Sequence, residues 1–64
     1  MKKEDKIKKL RESIKGSGCT LTFQATVDGK DFYNIINSDD CIIMTKPIDV
    51  LIKLEMLGEL NYII

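Results

Sequence analysis

The stretch from residue 19 to residue 36 constrains the fold most, because it predicts a β-hairpin. Between residues 19 and 27, apolar side chains occupy the odd positions and polar side chains the even ones. This alternation is typical of a strand with one buried face. Asp28-Gly29 follows, and both residue types tolerate the positive φ of a tight hairpin turn. The return strand is predicted over residues 30–36.

The register of this hairpin has two alternatives. A two-residue loop places Leu21 opposite Ile36, whereas a three-residue loop with a glycine bulge turns Tyr33 and Ile35 to the buried face. A slip of one residue exchanges the two faces of a strand. We favour the two-residue loop. Because the return strand is apolar on both faces, we expect it to be central or covered on both sides.

The chain has 64 residues and no histidine, which predicts one small domain. A chain of this size buries only about 60% of its unfolded surface, so its core needs support. Cys19 and Cys41 are expected to be buried, reduced thiols, because the charged N-terminus lacks the apolar segment of a secretory signal. The expected compartment is the cytoplasm, with no metal, no cofactor and no membrane-spanning segment.

A basic amphipathic helix is predicted over residues 2–15. Its apolar side chains Ile7, Leu10 and Ile14 form one narrow stripe, which indicates docking on a sheet or on another chain. Gly16 is the expected helix-ending residue. This segment carries seven basic and three acidic residues, so it is basic while the rest of the neutral chain is acidic.

A third strand over residues 41–45 and a second helix from about residue 46 complete the pattern. Pro47 suits the first helical turn, with Thr45 or Lys46 as the N-cap, and Gly58 ends the helix. The expected fold is an α+β domain, α-β-β-β-α, with a three-stranded antiparallel meander and two packing helices. The segments are residues 1–15, 19–45, 46–58 and an apolar tail at 59–64 that could add a short fourth strand.

The second helix is apolar around most of its circumference, and a helix of this kind is buried on most sides. Nothing else in so short a chain remains to cover its outer side. We therefore expect a homo-oligomer, whereas the alternative is a monomer with the tail tucked against this helix. The predicted interface comprises Ile48, Ile52, Met56, Leu60, Tyr62, Ile63 and Ile64.

Catalysis is not expected. The acidic pairs Asp28/Asp31 and Asp39/Asp40 lie at opposite ends of the second strand, about 20–25 Å apart at ~3.3 Å per residue. Paired catalytic carboxylates of glycosidases lie at most about 9.5 Å apart. The Gly-Ser-Gly turn at 16–18 follows a helix, whereas phosphate-binding loops precede one.

Nucleic-acid binding through the basic helix is the competing hypothesis. Lysine and arginine side chains contact phosphates, and such binding weakens with salt. No aromatic residue is interleaved for base stacking, and three acidic residues dilute the charge. The possible contacts are Lys6, Lys8, Lys9, Arg11 and Lys15.

The element order resembles that of double-stranded RNA-binding domains, and the stretch FQATVDGKDF at 23–32 looks like their central hairpin. Those domains hold phosphates with a lysine cluster at the start of the second helix. Here that position reads KPID at 46–49, with one lysine and one acid. The resemblance is one of topology and implies no function.

The function predicted from these features is a small, non-enzymatic module that binds proteins. A short, histidine-free chain rich in lysine, isoleucine and asparagine is typical of phage and mobile-element proteins. The expected partners are a second copy of the chain and a host protein that it modulates.

Overall fold

A computed structural model describes residues 2–64. The elements, in chain order, are α1 (Lys3–Lys15), β1 (Thr20–Val27), β2 (Lys30–Ile36), β3 (Ile42–Pro47), α2 (Ile48–Met56) and α3 (Leu60–Ile63). The strands form one antiparallel sheet in the order β1-β2-β3. The predicted α-β-β-β-α order and the meander are confirmed, with α3 as an additional short helix.

The hairpin turn is the predicted two-residue loop. Val27 pairs with Lys30, and between them Asp28 and Gly29 have φ of 51° and 75°. Both values lie in the left-handed region, which glycine and aspartate occupy more readily than most residues. The turn therefore fixes the register of the first few residue pairs on either side.

Farther from the turn the predicted register is wrong, because a β-bulge at Gln24 shifts it by one residue. Leu21 pairs with Ile35 and Phe23 with Tyr33, each one residue earlier on β2 than the two-residue loop alone would give. The rings of Phe23 and Tyr33 meet edge to face with centroids 5.4 Å apart. Because of the bulge, the hairpin has the two-residue loop of one alternative and the inward-facing Tyr33 and Ile35 of the other.

The core lies between one face of the sheet and the helices. Leu21, Ile35 and Met44 form a continuous row across the three strands, and all three are buried. The helices cover this row with six buried aliphatic side chains: Leu10, Ile14, Ile48, Leu51, Ile52 and Leu60. Each such side chain stabilises the fold by about 1.5–3 kcal/mol when fully buried.

Helix α1 ends in a Schellman motif built around Gly18. The Cys19 N–H donates to the Ile14 carbonyl at 3.1 Å and the Gly18 N–H to the Lys15 carbonyl at 3.0 Å. Gly18 has φ of 76°, whereas the predicted helix-ending residue, Gly16, has φ of −61°. Gly16 ends the helix as its C-cap residue, as predicted, but the left-handed C′ position belongs to Gly18, because the chain makes one more tight turn before it.

Helix α2 begins two residues later than predicted, at Ile48, and ends before Gly58 as predicted. Thr45 and Lys46 belong to β3 and are not N-caps, because pairing with β2 continues to Pro47, which suits an edge strand since proline donates no hydrogen bond. Pro47 is the N-cap residue. At the other end, Gly58 has φ of 73° and closes a second Schellman motif, in which the Glu59 N–H donates to the Leu54 carbonyl at 3.0 Å.

The C-terminal tail is helical and does not add a fourth strand. Within residues 2–64 the sheet has three strands, and α3 folds back on α2 through Leu60, which is 1% exposed. Ile64 is partly buried against the same core. The Schellman turn at Gly58 directs the chain back toward the helical layer, so the tail does not reach a sheet edge.

Replacement of Ile35 by valine should lower the free energy of unfolding by about 0.5–1.5 kcal/mol, because it removes one buried methylene. The matched variant Ile42→Val, at a side chain 59% exposed, should stay within about 0.5 kcal/mol of the parent. Urea unfolding followed by circular dichroism measures both. Equal losses at the two positions would contradict the one-sided core.

Candidate interaction surfaces

A groove separates α1 from α2 at the surface of the helical layer. The Lys3 Nζ lies 3.8 Å from the Asp49 Oδ1 near the start of both helices. Farther along, Lys9 borders the groove together with Glu55 and Met56. The two helices therefore run side by side in the same direction, each with its first turn at the same end of the groove.

The walls of this groove differ in chemistry. Its main part has a volume of about 630 Å³ and continues into a narrower part of about 200 Å³. Lysines line the α1 side, and Ile52 and Met56 form an apolar floor on α2. The groove is defined here by Lys3, Lys6, Lys9, Asp49, Ile52, Lys53, Glu55, Met56 and Leu57.

A second feature is an apolar surface at the C-terminal end of the chain. Met56 and Leu57 are 71% and 60% exposed, and Tyr62 and Ile63 are 92% and 52% exposed. These four residues, the C-terminal apolar surface, lie within one stretch of eight positions that carries a single charge, Glu59. Helices α2 and α3, which pack together, position them.

The structure divides the seven residues predicted to form an interface. Ile48 and Leu60 are buried in the core of the single chain and are not available to a partner. Ile52 is also mostly buried, but it retains 8% exposure where it lines the groove floor. Ile64 is partly buried. The exposed members are Met56, Tyr62 and Ile63. Because the pattern of α2 is apolar all round, the sequence could not show which side faces its own sheet.

The five basic residues of the nucleic-acid hypothesis lie on two sides of α1. Lys6 and Lys9 border the groove. The other three share the opposite side with Glu4 and Glu12: Lys8, Arg11 and Lys15. A single phosphate backbone following one side of this helix would therefore contact only part of the set.

No helix formed by residues 2–64 packs on the outer face of the sheet. Thr22, Asn34 and Thr45 pair across its middle, and the Thr45 hydroxyl donates to the Asn34 Oδ1 at 2.7 Å. This polar row separates apolar residues at the two ends, such as Phe32 and Ile42. The expectation that β2 is either central or covered on both sides is met by its central position in the sheet.

The cysteines differ in exposure, and this corrects the expectation that both are buried. Cys19 is buried, whereas Cys41 is exposed because it lies in the turn before β3, where its N–H donates to the Asn37 Oδ1 at 3.0 Å. Among residues 2–64 no three acidic, cysteine or histidine side chains cluster to hold a metal ion. Over the same residues, no helix has the length and apolar character to cross a bilayer.

Comparisons with models of protein families, with curated proteins and with solved structures find no match to this chain. Its function is therefore inferred from the exposed surfaces. Two of these surfaces, the groove and the C-terminal apolar surface, share the exposed side chains of Met56 and Leu57.

A thiol reagent should modify Cys41 rapidly and Cys19 only on unfolding, because reaction requires an accessible thiolate. The release of thionitrobenzoate from Ellman's reagent measures both phases. Cys41→Ser should remove the rapid phase and Cys19→Ser the slow one. A rapid phase that survives in Cys41→Ser would contradict the burial of Cys19.

Proposed function

We propose that this protein is a non-enzymatic protein–protein interaction module that self-associates through its C-terminal apolar surface. The observation that carries the proposal is the exposure of Met56, Leu57, Tyr62 and Ile63 on two helices that pack together. Clustered apolar side chains of this kind mark protein interfaces. Aromatic residues and methionine are enriched, and charged residues depleted, at the centres of such interfaces.

The size of the chain supports self-association. Among residues 2–64, ten hydrophobic side chains form the core and nine large ones are exposed. A standard interface removes about 800 Å² per partner, less than a fifth of the 4516 Å² that the chain exposes. A dimer of this size would therefore bury apolar surface beyond a marginal core and still leave most of the surface of each chain exposed.

The partner and compartment that we propose follow from the composition of the chain. A host protein is the proposed second partner, on our expectation that the chain is the product of a phage or mobile element. The cytoplasm is the proposed compartment, supported by an exposed Cys41 thiol that is not paired with the buried Cys19.

The variant Tyr62→Ser should weaken self-association by about thirtyfold, because removing an interface aromatic costs about 2 kcal/mol. Sedimentation velocity over a range of concentrations measures the dissociation constant. The control Val27→Ser, at a side chain 51% exposed beside the hairpin turn, should leave it unchanged. A parent protein that stays monomeric at millimolar concentration would overturn the proposal, as would equal effects of the two variants.

Nucleic-acid binding is a second candidate because Lys8, Arg11 and Lys15 share one side of α1. We expect little binding of duplex or single-stranded DNA and RNA, since Glu4 and Glu12 lie among these cations. Fluorescence anisotropy at low and physiological salt measures it. Saturable, salt-sensitive binding that is lost on changing the three residues to serine, and retained in Lys6→Ser/Lys9→Ser, would establish the alternative.

A further inference from the structure

We infer that the groove between α1 and α2 binds an acidic amphipathic helix of a partner protein. This inference rests on the proposed role in protein binding and assigns the chemistry of the partner. The groove and the C-terminal apolar surface share Met56 and Leu57. Lys6 and Lys9 belong to the groove alone, whereas Tyr62 and Ile63 belong to the self-associating surface alone. The two activities can therefore be separated by substitution.

The charge of the groove selects an anionic partner. Four lysines line it, against two carboxylates. Lys3 is engaged with Asp49 at 3.8 Å, and this is the one ion pair found within residues 2–64. Lys6, Lys9 and Lys53 therefore outnumber the remaining carboxylate, Glu55, and an incoming acidic segment would find cations on both sides of the groove.

The apolar floor of the groove favours a partner helix with an apolar stripe along one side. Ile52 and Met56 are one helical turn apart on α2, and the Met56 side chain, 71% exposed, is flexible enough to adapt to different partners. From Asp49 to Met56 the lined part of α2 is about 10 Å long at 1.5 Å per residue. This length matches two turns of a bound helix with apolar anchors at i and i+3 or i+4.

A second copy of this chain does not supply such a helix. Within residues 2–64, α1 carries six basic and three acidic residues, so α1 of another copy would be repelled. Helix α2 packs into its own core through Ile48, Leu51 and Ile52, and α3 carries no charged residue. Nucleic acid also fits poorly, because no aromatic side chain lines the groove for base stacking.

The test uses the full chain and a labelled synthetic peptide of about 15 residues, about 22 Å as a helix. The peptide carries leucines on one face, at i, i+3, i+4 and i+7, and glutamates on the flanks. Fluorescence anisotropy follows its binding. Two further peptides serve as controls: one of the same composition with the pattern scrambled, and one with lysine in place of each glutamate. We expect saturable binding of the patterned acidic peptide alone.

Substitutions locate the binding. The double variant Lys6→Glu/Lys9→Glu should lower the affinity for the patterned peptide about tenfold or more, because two charge pairs become repulsive. The matched variant Lys8→Glu/Arg11→Glu, on the opposite side of α1, has the same change in charge and should alter affinity less than twofold. Both sites are exposed or partly exposed, so circular dichroism should show both variants folded.

The outcomes separate this inference from the proposed self-association. Absence of saturable binding, equal binding of the scrambled peptide, or equal loss in both double variants would each overturn the inference. Tyr62→Ser should retain peptide affinity while it loses self-association. If the parent proves monomeric yet binds the peptide, self-association is wrong and the groove assignment stands. If the parent dimerises but does not bind the peptide, the groove assignment is wrong and self-association stands.

Discussion

A three-stranded sheet has two faces, and this chain has enough helix to cover one of them. The row formed by Leu21, Ile35 and Met44 is the centre of that covered face. Helix α1 has too few apolar residues to persist alone in water, so it depends on this row. Helix α2 depends on it through Leu51, which is fully buried. The direction of both helices, and the groove between them, follows from this shared contact.

Much of the fold could be predicted because short-range chemistry determines it. The positive φ required at Gly29 and Gly58 and the apolar stripe of α1 are visible in the sequence. The bulge at Gln24 was not, because no glycine marks it and both registers of β2 offer apolar residues. The extension of β3 to Pro47 was missed for a related reason: pairing with β2, a tertiary contact, outweighs the preference of proline for a helix start.

The candidate surfaces were predictable only in part. Exposure of the tail followed from an excess of apolar residues over what so small a core can bury. The sequence did not indicate which apolar residues of α2 are buried, since a helix that is apolar on every side has no pattern that identifies its inward side. The groove was missed because Lys6 and Lys9 are distant in sequence from Ile52 and Met56. The apolar stripe of α1 could have indicated the groove. Because Leu10 faces the sheet, the lysines beside this stripe must border the neighbouring helix.

The central claim is that the helical layer, and not the outer face of the sheet, is where this chain meets other proteins. The most direct measurement is a dilution series of ¹⁵N–¹H correlation spectra from millimolar to micromolar concentration. We expect concentration-dependent shifts at the amides of Met56, Leu57, Tyr62 and Ile63, with those of Thr22, Asn34 and Thr45 unchanged. Spectra that do not change with dilution, or changes confined to the sheet, would contradict it.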